Sequence, residues 1–383
     1  MNMMDGVPHM IRPLIFAVAV LLVTVSQLVG QVTAEANVRD YASALAKAYA
    51  ALERDDTESA KAALGATSEN LRGTAFRLLE QLASHTEPRQ ALTGSPVPKP
   101  DSRFALAVLN PTKPDATYLC DQGVVLIYDL AQSQNEPQRI VSSRAKPLMY
   151  GSYSTDGKFF VTGDTEGGIL VWDTGSWQET ASYVKGTQPV RYVAVNKDGS
   201  RLLAETEQGV VLWDTSQNRE IGVIGERYNF GTALCFSNEQ HHCATGGMFN
   251  IVIHDADSGE TIRQIAHAPY TMQLCFSPDG QYIASGLRGS LNKWLGVFDV
   301  VTGARVFDRA EHEKGITGLV FVDDGKCLLS TSADGTMKFW HVPSGTELLS
   351  MKMGSSIYQP SVTSDGSTIL WNQRTGPRYF SIQ

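Results

Sequence analysis

His312, Ser330 and Asp334 are the residue types from which a hydrolase assembles a base, a nucleophile and the group that orients the base. Acyl transfer is therefore the first chemistry to weigh. No oxyanion-hole signature accompanies the three, and Trp340 follows close behind them. A buried Trp donates only through its indole nitrogen and needs an acceptor, so the set reads more naturally as scaffold than as catalyst. His241 and His242 could ligate a metal, but adjacent histidines in a turn read first as solvated side chains. The five cysteines, Cys120, Cys235, Cys243, Cys275 and Cys327, form no Cys-x-x-Cys and are odd in number, so neither a zinc site nor a dense disulfide framework is expected. Cys235 and Cys275 fall at the same place in two similar runs, ALCFS and QLCFS, and read as buried core thiols. A Cys235–Cys243 pair across one hairpin is the alternative. No metal and no cofactor is expected.

Residues of this kind need elements to position them. The chain has 383 residues, 42% of them hydrophobic, with 34 glycines, a globular and turn-rich composition. Its net charge of −8 argues against a nucleic-acid footprint, which needs clustered Lys and Arg. Near the start, Arg12 precedes an apolar run, Leu14–Val25, of the length of a secretory hydrophobic region and short for a membrane span. Val32-Thr33-Ala34 supplies the small-residue pattern for cleavage before Glu35, and Met10 is an alternative start. Residues 1–34 are thus expected to be a signal peptide of an exported protein, periplasmic or extracellular. The alternative is an anchor over residues 13–30.

Residues 35–86 follow a helical period. Val38, Tyr41, Ala42, Leu45, Tyr49 and Leu52 make one amphipathic stripe. Asp55 and Glu58 have capping-box spacing for a short second helix, and ENLRGTAFRLLEQLAS carries a third stripe. Three short helices bury little alone, so they are expected to fold back on themselves or dock on the next domain. Pro88, Pro96, Pro98 and Pro100 then mark a boundary.

Beyond residue 102 short apolar runs alternate with turns, and two landmarks recur. Asp-Gly turns have their glycines at Gly157, Gly199, Gly280, Gly325 and Gly366, with SNEQHH at 237–242 where a further copy belongs. An aromatic or His before Asp recurs at Tyr128-Asp129, Trp172-Asp173, Trp213-Asp214, His254-Asp255 and Phe298-Asp299, continuing at Trp340-His341. Both landmarks repeat every 40 to 45 residues. Each unit reads as four short strands. The third strands, such as GILVWD and NIVIHD, are nearly continuous apolar runs, as required of strands buried on both faces. A ring of small sheets satisfies that requirement and leaves only short edges.

On SPDGQYIASG, STSADGTMKFW and the Trp-Asp pairs, the chain resembles the WD40 repeat family over about residues 103–383. The resemblance implies an all-β fold, a seven-bladed WD40-type β-propeller, here preceded by a short α-helical segment. The last copy stops after three strands, so 87–95, with RQALTG at 89–94, is expected to supply its outer strand, giving a propeller over 87–383. The helical prefix resembles the segment before WD40 arrays in bacterial kinase–WD40 proteins, with no kinase domain present. Members of the family tie blades with a His, Ser/Thr, Asp and Trp tetrad. By that resemblance His312, Ser330, Asp334 and Trp340 form a structural tetrad, whereas Thr162, Glu166 and Trp172 lack the His, and His267 and Ser285 meet Phe298 in place of Trp.

The innermost strands expected to line the channel are FALAVL, LMYGSY, VRYVAV, TALCF, TMQLCF, ITGLVF and IYQPSV, with Arg191 the only charge among them. A channel-centred metal or acid–base pair is disfavoured, and the chain is expected not to be an enzyme. The stretches entering these strands hold Met149, Tyr150, Arg191, Arg227, Tyr228, Phe230, Tyr270 and Tyr358, types enriched at protein-binding hot spots. The expected function is a non-catalytic scaffold that binds a protein or peptide on this rim. The alternative is a propeller hydrolase or lactonase with a loop-built site.

Overall fold

The computed structural model describes residues 12–85, 95–96, 104–132, 136–228, 232–239, 241–266, 271–287 and 294–382. Seven four-stranded antiparallel sheets follow one another along the chain. Blades 1 to 6 span 104–141, 148–184, 193–225, 234–266, 271–309 and 316–352, and blade 7 spans 357–381. Within a blade the first strand lies innermost and the chain works outward by hairpins. The third strands Gly168–Asp173 and Gly209–Asp214 are buried almost throughout, because a neighbouring blade covers each face. The outermost strand Gln178–Val184 instead alternates between exposed and half-buried positions over most of its length. The Asp-Gly turns lie between first and second strands, where each glycine holds a positive φ between 69° and 83°.

The last blade is completed by chain from the other end of the ring. Ser95–Pro96 pairs with the strand Arg378–Ser381, Ser95 opposite Tyr379 and Pro96 opposite Arg378. Proline suits this outermost position, where a missing N–H costs no ladder bond. RQALTG lies outside the described residues. A second tie closes the ring at its centre. The Asn372 amide accepts from the Ala107 N–H at 3.1 Å and donates to the Ala107 carbonyl at 2.9 Å.

Three helices precede the ring: α1 (Arg12–Leu52), α2 (Thr57–Gly65) and α3 (Thr74–Leu82). The helix expected from residue 37 continues back to Arg12, because the apolar run and the amphipathic stripe share one uninterrupted helix-permissive stretch. Residues 1–11, part of the expected signal, lie outside the described residues. The α2 cap is Asp56, not Asp55: its carboxylate accepts from the Ser59 N–H at 3.0 Å, while Asp55 turns the chain at φ 57°. The third stripe is broken at Gly73, before α3.

The helices dock on blades 6 and 7. Leu45, Leu52, Leu79 and Leu82 share one core with Leu349, Met351, Trp371 and Phe380. Tyr49 Oη accepts from the N–H of Lys352, on the outer strand of blade 6, at 3.0 Å. The Asp-Gly turns of these two blades grip α3. Asp323 accepts from the Thr74 N–H, and Arg77 donates to the Asp365 carbonyl at 3.2 Å. A side chain at Gly73 would displace the Asp323 carboxylate from this contact, since a Cβ would stand 2.3 Å from one of its oxygens.

Candidate functional site

The Ser, His and Asp of blade 6 do come together, with Trp340. The Trp340 indole N–H donates to Ser330 Oγ at 2.8 Å, and His312 Nε2 lies 2.8 Å from the same oxygen. The indole can only donate, so Ser330 accepts from Trp340; with the Asp334 carboxylate accepting from His312 Nδ1, Nε2 is left as the acceptor for the Ser330 hydroxyl. The other His312 nitrogen, Nδ1, then faces Thr336 Oγ1 at 2.8 Å and Asp334 at 3.3 Å. Burial would raise the Asp334 carboxyl, but hydrogen bonds from His312, Thr336 and the Glu313 amide outweigh it and hold the group well below the ordinary carboxylate range. Ser330 is completely buried and His312 nearly so. A hydroxyl sealed under an indole cannot meet a substrate carbonyl, so the set braces the blade.

Other blades keep fragments of this brace. Trp172 donates to Thr162 at 3.1 Å, but Glu166 takes no part and pairs with Lys146 on the surface. In blade 4, His254 stands where Trp is usual and meets Thr245 Oγ1 at 3.1 Å. In blade 5, Ser285 is buried with no hydrogen-bond partner among the described residues and pairs across the hairpin with Gly296, two residues before Phe298, and His267 lies outside the described residues. All five cysteines are free. Burial pushes the thiols of Cys243 and Cys275 up to about 12. His241 is largely exposed, 3.6 Å from Asp257. Among the described residues, no three His, Cys, Asp or Glu side chains gather as metal ligands.

The ring has two faces. Chain direction places the starts of the innermost strands and the hairpins between second and third strands on the same one. Among the described residues, every exposed Met, Phe and Trp lies on that face: Met149 and Met248 at 39%, Trp294 at 39% and Phe249 at 61%. Isolated exposed aliphatics elsewhere, such as Val184 and Val223, belong to outer strands and are ordinary. Phe249, Met248 and Trp294 were not singled out from sequence. The signal for the first two was present: GGMFN occupies a hairpin that reads CDQG, DTEG, TEQG and SADG in four other blades.

The sequence-selected rim residues divide. Met149 opens blade 2 exposed. Tyr150 turns inward: its ring lies 4.9 Å from that of Tyr192, and burial raises its hydroxyl, with Tyr192 adding to the effect and Gln359 opposing it. Tyr358 is half-buried in the first strand of blade 7. Phe230 and Tyr270 lie outside the described residues. Arg191, Arg227 and Tyr228 converge where blade 3 meets blade 4. Tyr228 Oη donates to Glu226 at 2.9 Å and accepts from the Met248 N–H at 3.3 Å, joining this loop to the Met248-Phe249 hairpin.

Beneath them sits Glu205, which sequence reading passed over. It is wholly buried, with neither carboxylate oxygen hydrogen-bonded, and Arg227 Nε is 3.9 Å away. Burial raises its pKa, partly offset by the Thr232 amide, Arg227 and Arg191. The cause is positional. The fifth residue of a second strand faces the next blade's inner strand, and there blades 2, 4, 5, 6 and 7 carry Gly163, Gly246, Gly286, Thr331 and Asn372.

Comparison with known proteins agrees with the ring. The family model described as "WD domain, G-beta repeat" matches residues 259–299 and 304–341. WD repeat-containing protein 1 of Xenopus tropicalis is 25% identical over 240 residues, 57% of this chain and 37% of that one. Protein groucho of Drosophila melanogaster is 22% identical over 276 residues, 70% of this chain and 37% of that one. The U3 small nucleolar RNA-associated protein 15 homolog of Gallus gallus is 25% identical over 61% of this chain and 45% of that one. The chain thus spans under half the length of these curated relatives. A chain in a crystal structure of the mitotic checkpoint complex superposes with a TM-score of 0.64 at 16% identity, covering 76% of this chain and 92% of that one, a likeness of fold.

Proposed function

We propose that this ring of WD-repeat blades is a non-catalytic scaffold binding a protein or peptide through the face that carries Phe249. The observation behind this reading is the gathering of the exposed Met, Phe and Trp side chains on that one face. Large flexible or aromatic apolar groups, rimmed by Arg and Tyr, are the composition of a binding hot spot. The matched relatives include one named actin-interacting protein 1, and the superposed chain comes from a multiprotein complex. Crosslinking mass spectrometry on the protein in its own cells tests the reading. Crosslinks from this face to one partner, lost in Phe249→Ser, are expected. Crosslinks confined to the opposite face would overturn it.

We further propose that the protein is exported and that residues 1–34 are removed. Residues 30–37 of α1 are exposed, and packing begins at Val38, just past the expected cleavage point. A form starting at Glu35 should therefore keep the full-length thermal midpoint. Sequencing of the mature amino terminus checks the site directly, and recovery of an intact Arg12 would refute cleavage.

A further inference from the structure

The hairpin that exposes Met248 and Phe249 joins the second and third strands of blade 4, His242–Gly246 and Asn250–Asp255. These strands are tied by His254 Nε2, 3.1 Å from Thr245 Oγ1. Trp172 and Trp340 make the same diagonal contact in blades 2 and 6, with a side chain that never titrates. In blade 4 the place is taken by the one side chain whose ordinary charge change falls between pH 5 and 8. His254 is 2% exposed, and its Nδ1 is buried with no hydrogen-bond partner among the described residues. Cys243 lies directly opposite, on the same face, in one apolar cluster with Leu203, Val210 and Leu212 of blade 3. Burial lowers the His254 pKa, with the Gly259 backbone partly offsetting it.

The charged groups around this pocket are already engaged. On the same hairpin, Asp255 accepts from the Asp257 and Ser258 amides, and the Cys243 thiol is pushed up to about 12 and stays neutral. On the outer strand, Arg263 pairs with Ile253 and reaches away to the Thr302 carbonyl of blade 5. On blade 3, Arg201 is held by Asp214 and Asp257, Glu220 by Lys185, and Glu205 lies nearest Arg227. Among the described residues, no carboxylate hydrogen-bonds to His254. A neutral imidazole satisfies Thr245 and leaves one ring nitrogen bare. A second proton adds a charge and a donor to an apolar pocket, and parting the strands is the way for it to reach water.

We propose that His254 is an acid-sensitive latch, whose protonation parts the second and third strands of blade 4 and frees the Met248-Phe249 hairpin, so that the protein releases its partner as pH falls. The inference rests on the scaffold reading above and adds its regulation. With the folded value lowered, the latch holds fully above the unfolded 6.5 and is lost as pH falls through that value toward the folded one. Glu205 on the same seam acts in the opposite sense and cannot mimic the effect.

Hydrogen exchange of the full chain at pH 7.5 and 5.5, corrected for intrinsic rates, tests it. Protection of residues 242–255 should fall several-fold, up to about tenfold, beyond any fall in blades 2 and 6. His254→Trp, which restores the donor used in those blades, should remove the extra loss, and so should His254→Phe. His242→Gln should leave it in place. Equal loss in all blades, or a loss that survives both His254 substitutions, would overturn the latch. The crosslinking described above, repeated on cell extracts adjusted to the two pH values, reads the consequence. Crosslinks from the Phe249 face should weaken at pH 5.5 in wild type and persist in His254→Trp. Crosslinks equally strong at both values in wild type would overturn the release while the scaffold reading stands. If that face gives no crosslinks even at pH 7.5, the scaffold reading falls and the release falls with it, whatever the exchange shows.

Discussion

Asp323 closes the amino terminus of α3 with both carboxylate oxygens: the Thr74 N–H donates to them at 2.9 and 3.0 Å, and the Thr74 hydroxyl donates at 2.6 Å. A turn of the sixth blade thereby caps a helix that precedes the whole ring. The negative charge also complements the helix dipole, so one residue serves the turn, the cap and the docking of the segment.

Replacing Asp323 with Ala should cost about 2 kcal/mol, the upper range for a lost cap. Asp323→Asn should cost less, because Asn keeps an acceptor and tolerates the φ of 53° found here. Urea denaturation of both variants measures this. Equal losses would mean that the carboxylate charge, not the capping acceptor, dominates.

Ring closure gives a second test. Asn372→Ala strips the Ala107 N–H and carbonyl of their partners across the first and last blades. Leaving half-buried backbone groups unpaired predicts a loss of about 2 kcal/mol. Hydrogen exchange should show the loss concentrated in blades 1 and 7. Uniform loosening of all seven blades would instead mean that the ring opens as one unit.

The blade 6 brace predicts a graded series. Ser330→Ala leaves the buried Trp340 indole and His312 Nε2 both without a partner, at a cost of about 2–4 kcal/mol. Thr162→Val in blade 2 deprives only Trp172 of its acceptor and should cost roughly half as much. Calorimetric midpoints decide the order. If Ser330→Ala melts like wild type, the brace contributes nothing.

Carboxyls pull stability in two directions with pH. Ser176, Ser258 and Thr302 hydrogen-bond to Asp173, Asp255 and Asp299 and lower their pKa values, as the brace does for Asp334. Their contribution is complete above the unfolded carboxylate range and is lost as pH falls through the folded values, below about 4. Glu205 has the opposite sign. Its raised folded value makes its contribution complete below the unfolded 4.5 and lost as pH rises through the folded value. Glu205→Gln should therefore gain on wild type at neutral pH, and the gain should disappear near pH 4, read from thermal melts across that range. A gain independent of pH would show that Glu205 is not the titrating group.

What was legible in the chain was what repeats. The Asp-Gly turns, the aromatic-Asp pairs and the apolar third strands each recur with the blade, so seven sheets and their turns could be read from the residues, whereas the His312–Ser330–Trp340 brace was expected only from the family resemblance. Local hydrogen bonding and two-faced burial write such features into every copy. The candidate site was only partly legible. Arg191, Arg227, Tyr228 and Met149 could be placed at strand entrances, but their surroundings could not.

The decisive contacts join residues far apart in sequence and occur once. Asp323 meets Thr74 across 249 residues, and Asn372 meets Ala107 across 265. Glu205 is the one acid at a position that holds Leu, Gly, Thr or Asn in the other blades, and only the strand it faces makes that burial visible. Phe249 is exposed by its hairpin, a position set apart in the sequence only by contrast with CDQG, DTEG, TEQG and SADG in other blades. A periodic signal survives in one dimension because each copy restates it, whereas a single long-range approach leaves no period to read. The sequence by itself therefore determined the ring. Only the tertiary structure decided where the helices clamp it, how its ends are tied and which apolar side chains its faces leave exposed.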